Sequence, residues 1–139
     1  MTTPRHEHTI RLRARHHEMD TLGHVNNAVY LNYVEEAAIE HARRLGYDEA
    51  RWRALGGSWV VRRHEIEYRL PAVAGDDLEV TTRIVGLERA RGVRRTAIVR
   101  ARDGALLAEA TTQWIWVDLG GRPRRVPSEV LADFGEAEA

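Results

Sequence analysis

Side chains able to move protons or to trade hydrogen bonds crowd residues 16–27, among them His16, His17, Glu18, Asp20, His24, Asn26 and Asn27. They read as a polar loop. A helix must follow, because Tyr30, Leu31, Val34, Ala37, Ala38, Ala42 and Leu45 recur at the spacing of one helical face. Gly46 suits the position just past its end, and Arg43 and Arg44 set cations near its C-terminus. The loop therefore feeds a helix N-terminus, where backbone N–H groups lack intrahelical acceptors and partial positive charge collects. A carboxylate beside such donors suits chemistry on a carbonyl carbon. The acid attacks or activates water, and the donors hold the developing oxyanion.

Each of these residues also has a plain structural reading. Asp20 alone would be a turn-capping aspartate. Asn26 and Asn27 suit turn and cap positions, and in doing so they aim backbone donors at a carbonyl. His24 is either a partly exposed loop residue or an orienting partner. His16, His17 and Glu18 cannot all face one site, since neighbours in an extended segment point opposite ways. Glu18 shares parity with Asp20 and is the better candidate. A metal reading fails on spacing, because an H-E-x-x-H pattern would need histidine where Thr21 stands. No phosphate-binding P-loop, dinucleotide glycine fingerprint or G-x-S-x-G elbow is present, so neither metal nor cofactor is expected.

At 139 residues the chain can bury one good core, and a single domain over 1–139 is expected. Its 21 basic and 21 acidic residues balance to a formal net charge of zero, which gives no reason to expect nucleic acid. Every basic residue is arginine. Without cysteine there is no disulfide, thiolate zinc site or thiol nucleophile. The N-terminal residues lack the apolar core of a secretory signal, and no apolar run approaches membrane-spanning length. A cytoplasmic setting is the expectation.

Around the loop and helix, alternation marks strands. Residues 1–7 are polar and expected to fray. A half-buried strand is expected over His8–Ala14. Tyr47–Gly57 reads as a connection. A long strand over Ser58–Leu70 has Val60, Ile66, Tyr68 and Leu70 on one face, with Arg62 and His64 as its polar members. His64 reads as a satisfied strand residue that could line a site. A turn over Pro71–Asp77 leads to a third strand over Leu78–Ile84, and Gly86–Gly92 reads as a loop. A fourth strand over Val93–Arg102 ends at the hairpin turn Asp103-Gly104. The fifth, Leu106–Val117, carries Trp114 and Trp116 on one face, as packing against the helix or a second subunit. A short helix over Pro127–Phe134 and an acidic tail at Glu136 and Glu138 close the chain. Arg89, Arg91, Arg94 and Arg95 read as ordinary surface, though arginine forks also suit phosphate. Short turns between strands imply antiparallel pairing, and the helix face needs that sheet as cover.

The run Asp20-Thr21-Leu22-Gly23-His24-Val25-Asn26-Asn27, followed by Tyr30-Leu31, resembles the signature of hotdog-fold thioesterases. The branch is that of 4-hydroxybenzoyl-CoA and acyl-acyl-carrier-protein thioesterases. Ile66-Glu67-Tyr68-Arg69-Leu70-Pro71-Ala72 and Val117-Asp118 with Gly121-Arg122-Pro123 look like family sequence too. The resemblance implies an α+β hotdog fold: a curved antiparallel five-stranded sheet wrapped around one long central helix. It implies an acyl-CoA or acyl-carrier-protein thioester hydrolase. Carried over by motif, Asp20 is the catalytic carboxylate, as nucleophile or general base. His24 orients, and the backbone N–H near Asn27 polarises the carbonyl. Glu18, Gly23, Asn26, Tyr30, His64, Arg89 and Arg91 are the substrate-binding candidates. Plant acyl-carrier-protein thioesterases resemble D-x-N-x-H-V-N-N here; Leu22 departs from that pattern and points toward the bacterial CoA branch. A homodimer or a dimer of dimers with shared sites is implied. The rivals are a non-catalytic acyl-CoA-binding hotdog protein and a hotdog dehydratase or hydratase.

Overall fold

The computed structural model describes residues 5–135; residues 1–4 and the acidic tail at Glu136 and Glu138 lie outside them. Strand β1 spans Glu7–Arg13, helix α1 Asn27–Arg44 and helix α2 Glu49–Ala54. Strands β2, Gly57–Tyr68, β3, Asp77–Glu88, β4, Arg91–Arg100, and β5, Leu106–Asp118, follow, and helix α3, Ser128–Phe134, ends the described chain. The strands form one sheet in the order β1-β3-β4-β5-β2, antiparallel at every pairing. This is the expected hotdog arrangement, with α1 lying against the concave face of a curved sheet.

The buried face of α1 carries Tyr30, Tyr33, Val34, Ala37, Ala38, His41 and Ala42. Its small mid-helix alanines let the backbone approach Val80, Ile98, Ala108 and Ala110 of the sheet. Asn26 caps the helix, its side chain accepting from the Ala28 N–H at 2.9 Å. A second cluster lies past the far end of α1. There Tyr47, Trp52, Trp59, Trp116, Val130 and Phe134 pack under α2 and α3.

Four expectations need correction. Arg5–Glu7 does not fray: the His6 carbonyl accepts from Ile84 N–H at 2.8 Å, and Glu7 already pairs with Arg83 in the sheet. The Tyr47–Gly57 connection contains α2, capped by Asp48, whose side chain accepts from Arg51 N–H at 2.9 Å. Gly86–Gly92 is not a loop. The strands run on to Glu88 and from Arg91, leaving Arg89 and Ala90 as the turn, with Arg89 in the left-handed region at φ 57°. Finally, Val60 does not share a face with Ile66 and Tyr68. The ladder with β5 shifts between Val61 and Arg63, so Arg62 is an extra residue that flips the parity. Trp59, Val61, His64, Ile66 and Tyr68 pair with Trp116, Trp114, Thr112, Ala110 and Ala108, on the helix side.

Candidate active site

The signature loop is a tight turn held by Asp20. Its backbone N–H donates to the His24 carbonyl at 2.7 Å, and its carbonyl accepts from Gly23 N–H at 3.0 Å. Gly23 sits at φ +78°, a conformation that disfavours side chains. The Asp20 carboxylate uses one oxygen locally: Oδ1 accepts from Leu22 N–H at 2.9 Å and His24 N–H at 3.1 Å. Oδ2 has no protein partner among the described residues. Capping thus occupies one oxygen of the group and leaves the other open.

Three anchors fix this turn in place. The Val25 N–H donates to the Ala72 carbonyl at 2.9 Å, and Asn26 N–H to the Glu18 carbonyl at 2.9 Å. Glu18 Oε1 accepts from the Tyr33 hydroxyl at 2.6 Å and Arg15 N–H at 2.9 Å. Burial raises the Glu18 pKa, but those two hydrogen bonds outweigh it and hold the carboxyl below its usual range. Burial and the Glu18 contact together push the Tyr33 hydroxyl well up. Glu18 therefore staples the loop to the helix. Tyr68 completes the frame, its hydroxyl donating to the Asn27 carbonyl at 2.8 Å.

Asp20, Gly23, His24, Asn26 and Asn27 are brought together at the start of α1. Asn27 is the first helical residue, so its N–H lacks an intrahelical acceptor. Tyr30 is in the core: its hydroxyl accepts from Ala72 N–H at 3.2 Å and its ring meets Tyr33 and Tyr68. These contacts pack it between α1 and the sheet. His64 stands apart on β2, facing α1 at Glu35. Its Nδ1 lies 2.9 Å from Thr112 Oγ1 and its Nε2 3.1 Å from Glu35 Oε2. Arg89 and Arg91 lie at the far end of β3, roughly a full strand length, about 36 Å, from Asp77 beside the loop. Within one chain they do not meet Asp20. The arginine group also splits by parity. Arg95 is exposed, whereas Arg94 turns inward under α1 with Thr96 and Ile98, which corrects its reading as surface. Among the described residues, no three His, Asp or Glu side chains group closely enough to hold a metal ion.

Residues 14–134 match the profile of the thioesterase-like superfamily. The chain is 33% identical to the chloroplastic acyl-acyl carrier protein thioesterase ATL2 of Arabidopsis thaliana, over 92% of this chain and 68% of that protein. It is 32% identical to the acyl-CoA thioester hydrolase YbgC of Escherichia coli, over 88% of this chain and 92% of that one. In fold it superposes on a 1,4-dihydroxy-2-naphthoyl-CoA thioesterase from Synechocystis with a TM-score of 0.86, at 18% identity and over 96% and 98% of the two chains. The chain belongs to the thioesterase-like superfamily, in the hotdog-fold class, and thioester hydrolysis is its activity class. The identities to the plant and to the bacterial protein are nearly equal.

Proposed function

We propose that this chain hydrolyses acyl-CoA or acyl-carrier-protein thioesters at the start of α1, with Asp20 as the working carboxylate. The observation that carries the reading is the division of labour on Asp20. Two backbone N–H groups fix Oδ1, so Oδ2 is presented in a set direction. The thioester carbonyl sits at the Asn27 N–H, where the helix terminus stabilises negative charge on oxygen. Asp20 either draws a proton from water, which attacks the carbonyl carbon, or attacks it directly to form an anhydride that water then opens. In both routes the C–S bond breaks, the thiolate leaves and takes up a proton, and the acid is released. His24, half-buried on the same turn, orients water or substrate.

The assembly we propose is a homodimer or a dimer of dimers, in which strand residues of one subunit face the loop of the other. Arg89 and Arg91 then have a route to the nucleotide end of CoA that one chain does not offer. Among the described residues no helix is long and apolar enough to cross a membrane. A cytoplasmic setting is part of the proposal. The test is thiol release from a panel of acyl-CoAs and acyl-carrier proteins. Turnover of at least one thioester is expected. Saturable binding of acyl-CoA without thiol release would favour a non-catalytic module, and water addition to an enoyl-CoA a hydratase.

A further inference from the structure

Arg94 is a buried cation without an anion. It is 9% exposed, on the helix side of β4. Nη1 lies 2.9 Å from His41 Nδ1 and donates to Thr82 Oγ1 at 3.0 Å. Both partners are neutral. His41 accepts at Nδ1 and donates from Nε2 to the Arg5 carbonyl at 2.7 Å. Burial, reinforced by the Arg94 charge, pushes the His41 pKa down to about 4. Burial also lowers Arg94, to about 9, which leaves it charged at neutral pH. Its Nε and Nη2 have no protein acceptor among the described residues. An uncompensated buried charge is costly, and an apolar residue of similar size would ordinarily serve the fold as well.

Arg94 lines a cavity of about 210 Å³ between α1, α2 and the sheet, walled mainly by Trp52, Trp59, Trp114, Leu87 and Phe134. Trp114 on that wall keeps a buried indole N–H that also has no acceptor. Glu35 and Glu49 line the cavity as well, but Glu35 is engaged by His64 at 3.1 Å. No acidic side chain lies within 4.0 Å of Arg94 among the described residues. A dry cavity of roughly 150 Å³ holds a benzene ring, so this one takes a ring-sized or short-chain group. The guanidinium fork matches a carboxylate.

We propose that this cavity receives the tail of the acyl group and that Arg94 selects tails ending in a carboxylate, the half-thioesters of dicarboxylic acids. The inference rests on the thioester-hydrolase reading for its substrate and on the cavity alone for its anion. The cavity begins at Glu35, eight residues and about 12 Å along α1 from Asn27, so the carboxylate binds at the end remote from the reacting carbonyl.

Length-matched CoA thioesters of about ten to sixteen carbons, long enough when extended to span that distance, with and without a terminal carboxylate, test it in wild type, Arg94→Met and Arg94→Gln. Binding of free adipate against hexanoate, read by tryptophan fluorescence, runs alongside. Wild type is expected to favour the carboxylate-ended partner about 10-fold or more in kcat/KM. Arg94→Met should lose that preference while keeping turnover of the neutral partner, and adipate binding should vanish. Adipate binding that depends on Arg94, without hydrolysis of any thioester, would uphold the subsite and sink the hydrolase reading. Hydrolysis without preference and without adipate binding would do the reverse. Equal losses on both partners in both variants, with a lowered Tm, would make Arg94 structural and overturn the proposal. So would adipate binding that emerges only after Glu136→Gln and Glu138→Gln, since the chain's own tail would then be the anion.

Discussion

In the proposed reaction Asp20 holds its loop with one oxygen and works with the other. Its Oδ1 accepts from the Leu22 and His24 N–H groups, and Oδ2, without a protein partner among the described residues, is the atom proposed to react. A single turnover in ¹⁸O-labelled water with enzyme in excess tests whether that atom attacks carbon. Label in Asp20 marks an anhydride opened at the aspartyl carbon. Label in the released acid alone comes from a general base or from an anhydride opened at the acyl carbon, and trapping the acyl-enzyme with hydroxylamine separates those two. Glu18 and Tyr33 matter differently, as the staple that sets the loop on α1. Tyr33→Phe should cost about 1–2 kcal/mol near neutral pH, measured by denaturant unfolding. The Glu18 pKa is lower folded than unfolded. Its contribution is therefore present above the ordinary carboxylate pKa and lost as pH falls through the folded value. The gap between wild type and Tyr33→Phe should narrow in acid. The placing of Asp20, Asn26 and Asn27 at a helix start was legible in the sequence, because the apolar spacing that follows them marks where the helix begins. Tyr33 was not, because its partner lies fifteen residues away, across a turn. Arg94 was hidden for another reason. Three more arginines stand within five residues of it, and only the strand's exact start tells which of them turn inward.

At the scale of elements, the long helix and the five strands were readable, because periodicity of 3.6 and of 2 persists over many residues. Helix α2 was missed because six residues give too short a pattern, although Asp48 as cap and Gly56 past the end mark its limits. The bulge at Arg62 was invisible for a related reason: alternation cannot be followed past an inserted residue without the partner strand. Helix α1 carries a pH dependence of its own. His41 is buried between Arg94 and the Arg5 carbonyl, with its pKa lowered to about 4 from 6.5. Between those values the unfolded chain takes up a proton that the folded chain refuses. Stability is then fully present above about pH 6.5 and declines toward pH 4, by up to about 3 kcal/mol. His41→Gln should flatten that decline in chemical unfolding curves measured from pH 7 to 4. An unchanged slope would place the acid sensitivity elsewhere.

At the scale of the molecule, the sheet ends in two edges, β1 and β2. The outer edge of β2 runs beside exposed apolar side chains: Val60, Tyr68 and Leu70 are each more than two-fifths exposed, and Leu22 on the signature loop is 77% exposed. Open backbone donors and acceptors beside apolar surface favour pairing with a second copy about a two-fold axis. Light scattering at micromolar concentration should give at least twice the 15.9 kDa chain mass. A monomer that still hydrolyses thioesters would overturn the shared-site assembly. The reacting centre itself is tested most directly by Asp20→Asn. The amide keeps the oxygen that accepts from Leu22 and His24, so the turn should survive and Tm should move by no more than a few degrees. On the best thioester of the panel, kcat should fall by about 100-fold or more. A folded Asp20→Asn enzyme that keeps most of its turnover would contradict the assignment of Asp20 as the working carboxylate.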